Sequence, residues 1–183
     1  LHSNQLTQPQ LRYVQCLGKV TTHPNFTDVS KLDQYIHPIT EEAAKEVASN
    51  LRPDDRREVE QGHGLDAMEE LLRVAQEPSC VYFTVPDGKT AGVAGVGPNG
   101  EVWMLCTPAI HRYPITFARE AKRWIEQRNE KLLWNIVDSR NTVHLKLLQF
   151  LGFKFLRKFE HGPNNIQFIE FCRVCTRPQS GQT

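Results

Sequence analysis

Three residues of this 183-residue chain can move a proton and stand at or beside the ends of strand-like runs. Glu101 opens EVWMLCT, Asp138 closes LLWNIVD, and His144 lies within NTVHLKLLQFLGF. Either carboxylate is a conceivable base for an amine, and His144 could donate a proton because imidazole titrates near neutrality. Each also has a structural reading, as a strand-edge charge or a hydrogen-bonded histidine on a helix facing strand ends. Asn141 follows a strand and precedes a helix, which makes it an N-cap for the amide of Val143 or His144, worth roughly 1 kcal/mol. It is equally a hydrogen-bonding group for a ligand. His111 and Arg112 precede a helix start and could supply positive charge to a phosphate. Cys172 and Cys175 form a lone CxxC within IQFIEFCRVC, and without a second pair they read as strand cysteines, so no metal site is expected.

The elements that must position these residues follow from periodicity. A short strand, LDQYIHPI (32–39), precedes Thr40, a good N-cap for EEAAKEVASNL with Ala44, Val47 and Leu51 on one face. PDDRREVEQ has proline at a first helical position and acids in the first turn, and GHG at 62–64 ends it. Asp66 caps a third helix, DAMEELLRVAQ, which Pro78 stops. From Cys80 the period becomes two: CVYFTV, KTAGVAGVG and EVWMLCT, joined by PDG and PNG, form an antiparallel meander. A helix over 114–131 carries Phe117, Ala121, Trp124 and Ile125 on its apolar stripe. Strand 132–138 follows, then a helix with Val143, Leu147, Leu148 and Leu151 ended by Gly152, then strands 153–159 and 166–174.

With 39% hydrophobic and 23% charged residues the chain buries one core. The expected organisation is a polar N-terminal arm at 1–31, one domain at 32–174 and a tail at 175–183. Lys plus Arg number 22 against 21 acids, a net charge of +1, which gives no footprint for nucleic acid. The apolar runs are strand-length, giving no expectation of a membrane partner, and LHSNQLTQPQ lacks the build of a signal peptide. Five cysteines, an odd count, suit a reducing compartment, so a soluble, non-secreted protein is expected.

The order of strand, helices, three-strand meander, helix, strand, helix and two strands resembles the GNAT acetyltransferase superfamily along 32–174. Asn141, Gly152 and Phe153 match a frame in that family that also carries Ala and Tyr where this chain has His144 and Leu148. The resemblance implies an α/β (α+β) fold: a mixed, mostly antiparallel sheet of six to seven strands flanked by helices and splayed between the fourth and fifth strands. It implies a gap there for acetyl-CoA, lined by Leu105, Cys106, Asn135, Val137 and Asn141, with Thr107, His111 and Arg112 beyond it. In the family a glycine-rich loop after the fourth strand aims backbone amides at the pyrophosphate, and the Tyr protonates the departing thiolate. Here TPAIHRYPITFARE has no glycine, Pro108 and Pro114 each lack a backbone donor, and Leu148 has no proton to give.

The blocks LRPDDRREVEQGHGLDAMEELL, EVWMLCT, FAREAKRWIE and LLWNIVDSRNTVHLKLLQFLGF resemble, more narrowly, phage proteins grouped with the internal virion protein A of short-tailed phages. This implies a virion morphogenesis or internal core protein on a GNAT-like scaffold, without acetyltransferase activity or cofactor, in the virion interior or host cytoplasm. Its partners would be other virion or assembly proteins, or its own copies, met through Tyr13, Val14, Leu17 and Phe26 of the arm. The alternatives are an acetyl-CoA-dependent N-acetyltransferase of unknown acceptor and a module that holds coenzyme A without turnover.

Overall fold

The computed structural model describes residues 34–175; the arm and almost all of the tail lie outside the described residues, as do the arm contacts expected above. A short strand β1 (Ile36–Pro38) leads to α1 (Glu41–Ser49), whose cap Thr40 accepts a hydrogen bond from the amide of Ala43 at 3.1 Å. Helix α2 (Pro53–Arg57) starts on Pro53, as its fixed φ and missing N–H allow. It runs on into a π-helical stretch, Glu58–His63, that stops at Gly64 with φ 72°. Asp66 accepts from the amides of Met68 and Glu69, both at 2.9 Å, to open α3 (Ala67–Val74).

The meander forms as its alternation predicts: β2 (Val81–Thr84), β3 (Thr90–Val96) and β4 (Val102–Cys106). After a 3-10 turn at Pro108–His111 come α4 (Pro114–Glu126), β5 (Leu132–Asp138), α5 (Thr142–Phe150), β6 (Lys154–His161) and β7 (Ile166–Val174). Expected and observed elements differ at their ends: the first strand is only three residues, and the helix from Pro114 stops at Glu126 rather than running to 131.

The seven strands make two ladders, ordered β1-β2-β3-β4 and β5-β7-β6, all antiparallel within each. One face of the first ladder carries a cluster in which Val47 and Ala48 of α1, Val59, and Ala67 and Leu71 of α3 pack on Val93. The opposite cluster joins Phe117, Ala121, Trp124 and Ile125 of α4 to strand residues of both ladders, with Leu151, Phe153 and Phe171 at its other end. The α4 stripe is thus buried as its spacing predicts.

Among the described residues one isolated parallel bridge, Glu101 to Trp134, joins the two ladders, which diverge from there. Gly100 fixes that contact: its carbonyl accepts from the Trp134 amide at 3.0 Å, its φ is +79°, and a Cβ on it would lie 2.1 Å from the Leu132 carbonyl oxygen. Gly100→Ala is therefore expected to cost at least about 2 kcal/mol, from left-handed strain plus the clash, measured by urea unfolding.

Candidate functional site

Beyond that bridge the facing edges of β4 and β5 separate, and each backbone group that looks into the gap must find a partner. On β4, Glu101 and Thr107 bond β3 through Gly97 and Ala91, so alternation sends the groups of Val102, Met104 and Cys106 toward β5. The Val102 carbonyl accepts from Asn135 Nδ2 at 3.0 Å. The Cys106 amide donates to Asp55 Oδ2 at 2.9 Å, and its carbonyl accepts from the Arg52 amide at 2.9 Å. On β5, Ile136 donates to Asn135 Oδ1 at 2.7 Å and Asp138 donates to the Glu58 carboxyl. Met104 is left between these caps, its amide and carbonyl directed into the gap.

The caps at the open end belong to a buried polar network carried by α2 and α5. Asp55 and Asn141 are fully buried and Arg52 is 1% exposed. Asp55 accepts from Arg52 Nη1 at 3.3 and 3.4 Å and from Asn141 Nδ2 at 2.9 Å, while Asn141 Oδ1 accepts from Arg52 Nη2 and from the His144 amide, both at 3.4 Å. Asn141 is therefore an N-cap as expected, and a network member besides. Asn141 Nδ2 also lies 3.3 Å from Glu58 Oε2, and His144 Nδ1 lies 3.6 Å from Asp55 Oδ1. His144 is 8% exposed and its Nε2, at the far edge of the ring, has no partner.

A cleft of about 420 Å³ occupies the gap and passes from the α3 side of the sheet to the α5 side. Of the residues predicted from sequence, Glu101, Leu105, Asn135, Val137 and His144 line it. The others are elsewhere. Cys106 is fully buried in the core, and burial pushes its thiol well above the usual range. Thr107 is buried too, donating to the Thr90 carbonyl at 2.8 Å and capping the 3-10 turn. His111 is exposed, and Arg112 is paired with Asp87 at 3.0 Å. Asp138 is not a free base: burial raises its pKa, but hydrogen bonds and charge from Arg140, with Arg57 at 3.5 Å, outweigh that and hold it below the ordinary carboxylate value. Asn141 faces the network rather than the cleft.

Arg52, Asp55, Glu58 and Met104 were not singled out by sequence reasoning. The one signal was the spacing of Asp55 and Glu58, three apart and so on one face. Burial, then the charge of Asp55, pushes Glu58 up to about 8, against the hydrogen bonds from Asn141 and the Asp138 amide. Burial likewise lowers His144, with Arg52 adding to the effect and Asp55 opposing it. Two neighbouring groups on one cleft are thus driven apart, a neutral carboxylic acid and a neutral imidazole. Because the raised pKa of Glu58 belongs to the folded state, ionising it opposes folding, and stability should fall as pH rises from about 5 to about 8. Glu58→Gln should flatten that decline in melting temperature against pH.

Asp55, Cys106 and His144 bring possible metal-ligating atoms within 4.8 Å of one another. The Asp55 oxygens are already committed to Arg52, Asn141 and the Cys106 amide, so the donor set does not suit a cation. The cysteines at 80, 106, 172 and 175 are free thiols. Among the described residues no helix is long and apolar enough to cross a membrane.

No protein-family model matches the chain, and no curated protein does. Solved structures do. A GNAT-family acetyltransferase from Bacillus anthracis superposes with TM-score 0.57 at 9% identity, over 79% of this chain and 96% of that one. YncA of Salmonella typhimurium, solved with its cofactor acetyl-CoA, gives 0.57 at 13% identity, over 80% and 96%. The ribosomal-protein-S18-alanine N-acetyltransferase of Escherichia coli gives 0.55 at 16% identity, over 81% and 97%. At these identities the likeness is one of architecture: the chain has the GNAT acetyltransferase fold.

Proposed function

We propose that the protein is an acyl-CoA-dependent N-acyltransferase. The observation that carries this reading is the gap between β4 and β5, where Met104 keeps an unmatched amide and the Glu58 and His144 side chains present opposite proton affinities to one cleft. The Salmonella protein of the same fold holds acetyl-CoA, which supports the same ligand class here. Met104, Leu105, Leu147 and Leu148 are the residues that would hold such a ligand, which supplies an acyl thioester. The amide of Met104 is a fixed donor for a developing oxyanion. His144 Nε2 takes a proton from the attacking amine, its imidazole oriented by Asp55 at Nδ1. Glu58, protonated at neutral pH, returns a proton to the leaving sulfur as the C–N bond forms and the C–S bond breaks.

A thermal shift with acetyl-CoA tests this, since a ligand confined to the folded state stabilises by about 2.7 kcal/mol at a hundred times its Kd. A melting temperature unmoved at millimolar acetyl-CoA would overturn it. A second reading, a GNAT-like scaffold that keeps the fold without the cofactor, is favoured by three features. These are the β4 edge closed at Cys106 by Arg52 and Asp55, the glycine-free loop after β4, and Leu148. The same null result would favour it.

A further inference from the structure

A pair of histidines outside the polar network sits where two distant segments lock together. His63 ends the π-helical stretch and His161 ends β6. His161 Nε2 lies 3.1 Å from His63 Nδ1, and the two rings meet edge to face with 5.0 Å between centroids. Their surroundings orient them. Phe168 packs edge-on against both rings, at 5.3 and 4.9 Å, and Phe159 against His161 at 6.2 Å. Asn164 Nδ2 donates to the Gln61 carbonyl at 2.8 Å, and a Cβ on Gly162, whose φ is +70°, would fall 1.7 Å from the Gly62 carbonyl oxygen. The pair is thus held between segments that meet backbone to backbone.

Two imidazole nitrogens bound to one tetrahedral cation at about 2.0–2.1 Å stand roughly 3.3 Å apart. The observed separation reaches that with about 0.2 Å of opening. A ligating imidazole must also be neutral. Burial first, then His161, lowers His63 to about 4 against the Glu70 charge, and burial lowers His161, so both rings are neutral at neutral pH. A cation entering between them takes both lone pairs, and the proton now shared shifts to the other nitrogen of its ring. Charge and protons balance. His63 also lines the cleft, which gives an ion its way in.

We propose that His63 Nδ1 and His161 Nε2 bind a divalent cation of the zinc or nickel class, with water completing its shell. Bound there, it clamps the π-helical stretch to the β6–β7 hairpin. A pair of nitrogen ligands suits these metals and not magnesium or calcium, which take oxygen. The site shares no residue with the Asp55, Cys106 and His144 group, and it does not depend on acyl transfer.

Calorimetric titration of the untagged full chain with zinc, nickel and magnesium chlorides tests it. Zinc and nickel should bind while magnesium does not. His63→Gln and His161→Gln should each weaken zinc by at least about tenfold, since losing even an outer partner of a ligand costs that much. The imidazole nitrogen NMR spectrum of the wild type needs no variant: zinc should shift Nδ1 of one histidine and Nε2 of another. Zinc binding that both variants retain would overturn the inference, as would magnesium binding on a par with zinc. A nitrogen spectrum unmoved by zinc would overturn it too, because an ion held by thiols or carboxylates leaves the rings untouched.

Discussion

If the proposed acyl transfer holds, replacing His144 by Gln should lower it by about 10²–10⁴-fold, the usual effect of removing a positioned general base. The base role proposed for His144 rests on two edges of one ring, Nδ1 toward Asp55 at 3.6 Å and Nε2 unpartnered on a side chain lining the cleft. A purely structural histidine would show its loss in the melting temperature alone, so the discriminating readout is the pH profile of kcat/KM. In the wild type the rate should rise as the imidazole deprotonates, below its ordinary range because burial disfavours its charge. It should decline again near 8 as Glu58 ionises. His144→Gln should remove the acidic limb and Glu58→Gln the alkaline one. A wild-type profile flat across this range would sink both assignments. Leu148, one turn on from His144, lines the same cleft and has no proton to give, so in the proposed reaction that task falls to other side chains.

The fold was legible where local periodicity and capping spoke together. Thr40, Asp66 and Asn141 each accept backbone bonds as caps, and the two tight turns of the meander fall where PDG and PNG place them. The splay between β4 and β5 came from resemblance in element order, since the turn at Gly100 that pins it acts on Leu132 and Trp134, across a helix. The π-helical stretch at Glu58–His63 was not legible. Its residues EVEQGH are largely polar, and a widened turn leaves no periodic signature in so short a polar segment.

The site was legible only in part because its chemistry depends on docking at long separation. His144 and Glu101, named from residue type and from positions on a helix and at a strand start, both line the cleft. Asp55 reads in the sequence as an ordinary first-turn acid, yet it bonds the Cys106 amide 51 residues away and Asn141 86 residues away. The expected binding residues Cys106 and Thr107 are buried away from the cleft lining for the complementary reason. Alternation puts them at the strand end, but α2 covers the Cys106 edge and β3 takes the Thr107 hydroxyl. The Asn141 cap, valued alone at roughly 1 kcal/mol, understates a side chain that also joins Arg52, Asp55 and Glu58.

Asp55→Ala should destabilise the protein by about 3–5 kcal/mol, because it strands a buried charge rather than merely deleting a bond. Arg52 is 1% exposed and Asp55 takes two of its contacts, and the same carboxyl satisfies the Cys106 amide and Asn141 Nδ2. Removing it leaves a guanidinium, a backbone donor and an amide donor short of acceptors together, in a domain whose whole stability is about 5–15 kcal/mol. Arg52→Met added to Asp55→Ala should recover part of the loss, since the stranded charge goes but the Cys106 amide stays unpaired. Asp55→Asn should cost less than Asp55→Ala, as it keeps an acceptor for that amide. Urea midpoints of the four proteins decide the matter. A single-variant loss within about 1 kcal/mol would mean that Asp54, 3.4 Å from Arg52 Nη2, takes over the charge. The proposed catalysis depends on the same residue: without Asp55 the His144 ring loses the carboxylate beside Nδ1, so any folded Asp55→Asn protein should show the rate loss expected of His144→Gln.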